Sequence, residues 1–393
     1  MLSFEEATEI VFAQNFNHGV ERVPLHDSVG RILAEDVFSD IEMPPFNKSA
    51  VDGYACGSSI WPELPVTLEI IETIPAGVIP LKTILDGHCS KIMTGAMVPE
   101  GTCRVVMVED TEMTGENLVR ISSQSKGINI CYKGEDIKTG DRVLEKGLRV
   151  APAHVAVLAS VGATSPLVAK LPRVGIISTG DELVEPELIP GIAQIRNSNA
   201  SQLIAQVKTV PALPTYCGIA PDEGPELRKI IDRTLAGYDV VLLTGGVSMG
   251  DFDFVPSVLQ EAGVDILFSS IAIQPGKPTV FGRRGNTFIF GLPGNPVSSF
   301  VLFEILVRPF LLRMMGNIPA PVMLKIPLGV DYSRRKSVRK SMIPVMIRDG
   351  AAFPVEYHGS AHINAYTMAN GILDMEIGIT GISKGELVNV RPL

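Results

Sequence analysis

From Arg173 onward, apolar runs of strand length alternate with amphipathic stretches of helix length, and this alternation constrains the fold more than any other feature of the chain. Val174 to Ile177, Thr215 to Ile219, Val240 to Leu243 and Thr287 to Phe290 read as strands. Ser201 to Val207, Pro225 to Leu235, Val255 to Ala262 and the stretch from Val297 read as helices. A chain patterned this way builds an open, mostly parallel sheet covered by helices. Three of its loops are polar and glycine-bearing: Ser178-Thr179-Gly180-Asp181-Glu182, Thr244-Gly245-Gly246-Val247-Ser248-Met249-Gly250 and Gly291-Leu292-Pro293-Gly294-Asn295-Pro296. Strands of one polarity send such loops to one rim, beyond their carboxyl ends, where open α/β sheets bind ligands.

The flanking text is different. Ser3 with Glu6 makes a capping box that opens a first helix. Between Pro44 and Gly134 short β-rich runs, such as Val66 to Glu72 and Val105 to Glu109, are broken by Gly and Pro. Ala151 to Ser160 is helical again, and the helical pieces on either side of the β insert are expected to pack together. After Asn317-Ile318-Pro319-Ala320-Pro321 the alternation stops, and the tail reads as the short strands of a small β barrel. The expected divisions are 1–43 with 136–168, 44–135, 169–318 and 319–393. The fold class is α/β plus β.

Composition narrows the function classes. A chain of 393 residues with 46% hydrophobic and 20% charged content supports a real core. A net charge of −9 argues against nucleic acid, which needs a basic face. The five cysteines form no Cys-x-x-Cys pair, which favours free thiols in a reducing compartment. The start lacks a secretory pattern, and the apolar stretch Val297 to Leu312 carries Glu304 and Arg308. The expectation is a cytoplasmic protein with no membrane partner.

Glycine loops let backbone N–H groups approach a phosphate or another oxyanion. Glu182 and Asp253, with Asp181, offer oxygen ligands for Mg²⁺, and Lys277 adds a cation on the constrained loop Gln274-Pro275-Gly276-Lys277-Pro278. Each piece has a plainer reading as turn chemistry, a helix-dipole partner or a helix-entry proline; convergence of three loops on one rim favours the ligand. His358 and His362 read as surface or hydrogen-bonded residues, and the basic run Arg334 to Lys340 as either a solvated face or an anion receiver. No Gly-x-Gly-x-x-Gly or Walker-type loop is present, which weighs against dinucleotide binding and ordinary ATP hydrolysis. A further turn-rich segment, Pro44 to Ala55, sets Asp52 beside a glycine with Lys48, Ser49 and Tyr54 close by.

With these residues in hand, the chain resembles the MoeA family of molybdopterin molybdotransferases, which includes the E domain of gephyrin. The resemblance covers essentially the whole chain. It rests on Pro45 to Ala55, Ile92-Met93-Thr94-Gly95-Ala96, Val98 to Gly101, Gly134-Glu135-Asp136-Ile137 and the three loops above. It implies an elongated homodimer of four-subdomain chains, with a site where the α/β unit of one chain meets the β insert of the other. The implied reaction inserts molybdate, or tungstate, into adenylated molybdopterin and releases AMP, assisted by Mg²⁺ or another divalent cation. A molybdopterin adenylyltransferase is the implied partner. Carried over residue by residue, Asp52 and Thr94 lie on the β-insert side, Glu182 and Asp253 serve metal and phosphate, and Lys277 the anionic ligand. Gly245, Gly246 and Ser248 of the second loop bind substrate, Pro293 and Pro296 shape the pocket wall, and Asp136, Asp222, Arg339 and Ser360 match positions associated with the site. Asn47, Cys131, Ser270 and Gln274 depart from the family pattern, three of them where members carry cations. The competing readings are a non-catalytic scaffold of the same fold and a CinA-type nucleotide hydrolase.

Overall fold

The computed structural model describes residues 1–15, 18–58, 64–123, 127–222, 225–247, 255–318 and 321–393. The chain divides into a larger unit, Met1–Glu35 with Lys146–Pro152 and Ser165–Leu393, and a smaller one, Asp36–Glu145 with Ala153–Thr164.

The larger unit is organised around one sheet. Its strands are β1 (Arg173–Thr179), β2 (Leu213–Ala220), β3 (Val240–Thr244), β4 (Asp265–Phe268), β5 (Val280–Arg284) and β6 (Thr287–Leu292), in the spatial order β2-β1-β3-β6-β5-β4. The first four are parallel, as the alternation requires. β4 and β5 are an antiparallel extension that the sequence pattern did not disclose. β5 and β6 form a hairpin in which Arg284 pairs with Thr287 and Gly285 takes a φ of 59°. The flanking Arg283 and Arg284 hide the strand from a hydrophobicity reading, although Gly-Asn is a known hairpin signal.

Period-two alternation assigns the central strands to two cores. Val174, Ile176, Leu242 and Phe290 face the larger one with helix α2 (Ser198–Lys208). Ile177, Val241, Leu243 and Ile289 face the other with α3 (Pro225–Gly237) and α4 (Val255–Glu261). A sheet covered on both faces is why β1, β3 and β6 are buried almost throughout. After β6 comes a helix in three parts: α5 (Pro296–Leu302), a π-helical turn (Phe303–Val307) and α6 (Arg308–Met314). Glu304 in the π turn is only 9% exposed and accepts from Arg308 Nε at 2.6 Å and Gln206 Nε2 at 2.7 Å. No helix among the described residues is long and apolar enough to cross a membrane.

The N-terminal helix, Phe4–Phe12, has the expected capping box between Ser3 and Glu6. Its buried Ala7 and Val11 join the larger α/β core and it packs on α6, so its apolar stripe serves the sheet unit. At the C-terminal end, strands Leu324–Pro327, Lys340–Arg348, Ala351–Pro354, Gly371–Met375 and Leu387–Pro392 form an antiparallel sheet. It closes on itself through the Leu328–Ala352 bridge and the Gly329 N–H to Ala352 O bond of 2.8 Å, so the tail is the barrel expected. Lys340, 8% exposed, sends its ammonium to Glu5 and Glu376 at 2.8 Å each, tying the first helix to this barrel.

The smaller unit holds a six-stranded sheet in the order Arg104–Met107, Gly53–Cys56, His88–Ile92, Val66–Ile74, Leu118–Ile121, Thr111–Met113. Gly53 is obligatory: a Cβ there would sit 1.9 Å from the Val106 carbonyl oxygen of the adjacent strand. Cys56 and Cys89 face each other across two strands, fully buried, and burial pushes both thiols up, Cys89 to about 12. All five cysteines are free, as expected.

Phe281 lies between Phe268, Phe290 and Phe310 at centroid distances of 5.6, 4.8 and 5.8 Å. Phe281→Ala should destabilise the larger unit by about 3–5 kcal/mol, since the rigid sheet cannot collapse into the void. Calorimetry checks this: the transition of the larger unit falls while that of the smaller one holds.

Candidate active site

The register of the parallel strands decides where the polar loops go. Ser178 is paired with Thr244, and Thr244 with Leu292, so β1, β3 and β6 end at one level. Their loops line a cleft of about 630 Å³. The convergence expected from strand polarity is therefore present. Glu182, Asp222, Gly245, Gly246, Pro293 and Pro296 all line this cleft, with Asn197, Ser198 and Asn199 from the first turn of α2.

The second loop can turn there only because it is Gly-Gly. Gly245 and Gly246 have φ values of 101° and 61°, the left-handed region. A Cβ on Gly245 would stand 2.3 Å from the Thr179 carbonyl oxygen, and one on Gly246 2.7 Å from Val255 Cγ2. Two consecutive side-chain-free residues leave the backbone bare on the cleft; the Gly245 N–H is taken by Leu292 O at 3.1 Å, and the Gly246 N–H is the one that can meet an oxyanion.

The cleft's charged side chains are mostly acidic. Glu182 is exposed, and Asp222 and Asp181 each accept the other's backbone N–H at 3.4 Å. Among the described residues no three His, Cys, Asp or Glu side chains converge into a metal-holding group. One or two carboxylates, with waters and substrate phosphates, are what Mg²⁺ ordinarily takes, so the donor set of Glu182 and Asp222 fits it. Asp253 and Ser248 lie outside the described residues.

Other expected residues do not line the cleft. Lys277 is exposed while its neighbour Pro278 lines the wall, and Arg339 Nη1 donates to Ile273 O at 3.3 Å. Ser360 O accepts from Val297 N at 3.1 Å, at the start of α5, and places Ala361 on the wall. Sequence reasoning missed Asn199, Thr179 and the stretch Ile195 to Ser198. Asn197 was legible as an N-cap, since its side chain accepts from Ala200 N, but no local signal marks Asn199.

Asp52, Thr94 and Asp136 belong to the smaller unit. Asp52 Oδ1 accepts from Thr94 N at 2.6 Å and from Thr94 Oγ1 at 2.7 Å, on an exposed turn. The Thr94 N–H, and then its hydroxyl, hold the Asp52 carboxyl below the ordinary aspartate range. Asp136 is exposed, and its N–H donates to Met43 O at 3.0 Å. Asn47 Oδ1 accepts from Lys133 N at 2.9 Å, so its amide serves the local turn. At Cys131, burial and the nearby Glu135 raise the thiol.

A depressed folded pKa means that Asp52's favourable contribution is complete above the ordinary aspartate value and is lost as pH falls through the folded one. Thr94→Ala removes the hydroxyl and keeps the N–H, so it should move the Asp52 titration part of the way up toward the ordinary value, as read by carboxyl-carbon NMR. An unmoved titration would show that the hydroxyl takes no part and that the backbone N–H alone sets the charge of Asp52.

Comparisons with known proteins agree along the whole chain. Residues 2–162 match the family model described as "MoeA N-terminal region (domain I and II)". Residues 175–313 match "Probable molybdopterin binding domain", and 325–393 match "MoeA C-terminal region (domain IV)". The molybdopterin molybdenumtransferase of Bacillus subtilis is 35% identical over 384 residues, 94% of this chain and 89% of that protein. A Staphylococcus epidermidis protein of the same name is 34% identical over 400 residues, 99% of this chain and 95% of that one. The crystal structure of the molybdopterin biosynthesis moeA protein from Pyrococcus horikoshii OT3 superposes with a TM-score of 0.87 at 30% identity, covering 100% of both chains. On these three independent comparisons, the chain belongs to the MoeA family of molybdopterin molybdenumtransferases, proteins of molybdenum cofactor biosynthesis.

Proposed function

We propose that this protein inserts molybdate or tungstate into adenylated molybdopterin and releases AMP, as a cytoplasmic homodimer. The observation that carries this reading is the cleft at the aligned strand ends. A bare Gly245-Gly246 backbone and two carboxylates, Glu182 and Asp222, line one space large enough for a phosphorylated heterocycle.

Each part has a role in that reaction. The Gly245-Gly246 turn receives the phosphoanhydride, and its preorganised Gly246 N–H stabilises the charge that develops on the phosphate oxygens as water or a molybdate oxygen displaces AMP. Glu182 and Asp222 would hold Mg²⁺ or another divalent cation, which would supply charge neutralisation for the pyrophosphate. Pro293 and Pro296 stiffen the wall and exclude water. Asp52, kept ionised by Thr94, acts from the β insert of a second copy of the chain. Both units carry apolar loops suited to such a contact: Ile189 is 89% exposed in the larger unit and Leu81 87% in the smaller. A molybdopterin adenylyltransferase supplies the substrate.

The test is to incubate the protein with adenylated molybdopterin, Mg²⁺ and either oxyanion, following AMP release and metal loading. Metal-dependent AMP release is expected, and chelation should stop it. Glu182→Ala should lower turnover by about 10²–10³-fold while the chain stays folded. Tight binding of the pterin without AMP release would instead make the protein a carrier.

A further inference from the structure

We propose that Asn199 is a positioning residue, a side-chain clamp that fixes the spacing between the two loops expected to receive the substrate's phosphates. The inference deepens the functional reading above and rests on it for the substrate, but the geometry of the clamp stands by itself. β3 and β6 are joined by a regular ladder up to the Gly245 N–H to Leu292 O bond of 3.1 Å. Beyond that rung the ladder loses its means of continuing. Pro293 has no N–H to give, and the backbone turns left-handed at Gly245 and Gly246.

Asn199 reaches this point from the first turn of α2. Its Nδ2 donates to Gly294 O at 2.7 Å and to Thr244 Oγ1 at 2.9 Å, so one amide holds both loops. The two loops touch there: a Cβ on Gly294 would lie 3.6 Å from Gly245 Cα. A carbonyl oxygen only accepts, so Gly294 fixes which end of the amide faces the loops. The other end, Oδ1, is buried and has no partner among the described residues. A side chain kept for packing alone would not bring a buried orphan acceptor, and an apolar residue would fill the place without one.

The clamp acts through geometry. Backbone donors help only where they meet the developing charge, and a displacement of 1 Å is enough to cost about 10²-fold. Two variants separate clamping from space-filling. Asn199→Ala removes the amide. Asn199→Asp keeps its size but turns an oxygen toward the Gly294 carbonyl.

Amide hydrogen exchange at Gly245, whose N–H is bonded to Leu292 O at the last rung between the two loops, should speed up in both variants in the ligand-free protein. AMP release should then fall by about 10²-fold in kcat with KM little changed. Wild-type exchange rates in Asn199→Asp would reduce the residue to a spacer and overturn the clamp. The exchange readout needs no substrate, so an inactive wild-type protein would sink the functional reading without touching this one. Should Asn199→Ala fail to fold, Asn199→Asp still gives the exchange test, and Thr244→Val, which removes both the hydroxyl that the amide holds and its 3.4 Å bond to Pro293 O, sets the upper limit for loosening the two loops.

Discussion

The parallel register of β1, β3 and β6 is the constraint on which the rest of this protein's chemistry depends. Once Ser178, Thr244 and Leu292 are paired at one level, three loops leave the sheet side by side and their side chains share one cleft. The register itself is fixed by burial. A slip of one residue in either strand would put Val241 or Leu243 where Leu242 packs, or Ile289 where Phe290 packs, delivering side chains of one core to the opposite helices. The apolar interior thus aims the polar rim.

Electrostatics around the cleft follow an economical pattern. The chain has a net charge of −9 and the cleft presents carboxylates, yet its expected ligand is an anion. Bare glycine backbone supplies donors that carry no counter-charge of their own, and a divalent cation on Glu182 and Asp222 would reverse the local sign. The departures at Asn47 and Cys131 fit this division of labour. Asn47 is spent on the Lys133 turn, and Cys131 keeps its proton next to Glu135. Neither removes a group from the described cleft.

Local signals were legible wherever a few consecutive residues decide the outcome. The capping box at Ser3, the strands at Val174 and Val240 and the Gly-Gly loop are all set by short-range sterics and hydrogen bonding. Less was legible where partners are distant. The β4–β5 extension carries two arginines that break its pattern, and no neighbouring residue announces that Ala7 and Val11 of the first helix join the α/β core. Lys277 and Ser360 stand next to cleft-lining Pro278 and Ala361 without lining it themselves, and the Arg339 side chain donates to the Ile273 carbonyl.

By itself, the sequence determined the α/β alternation, the closed tail and the identity of the glycine loops, because period and turn chemistry are written in neighbouring residues. Only the tertiary structure decided that Asn199, 45 residues from Thr244 and 95 from Gly294, belongs with them. The physical reason is that a side-chain amide has no period or spacing to announce its partner. Its role exists only after the sheet and α2 have packed and brought two loops within reach of one nitrogen.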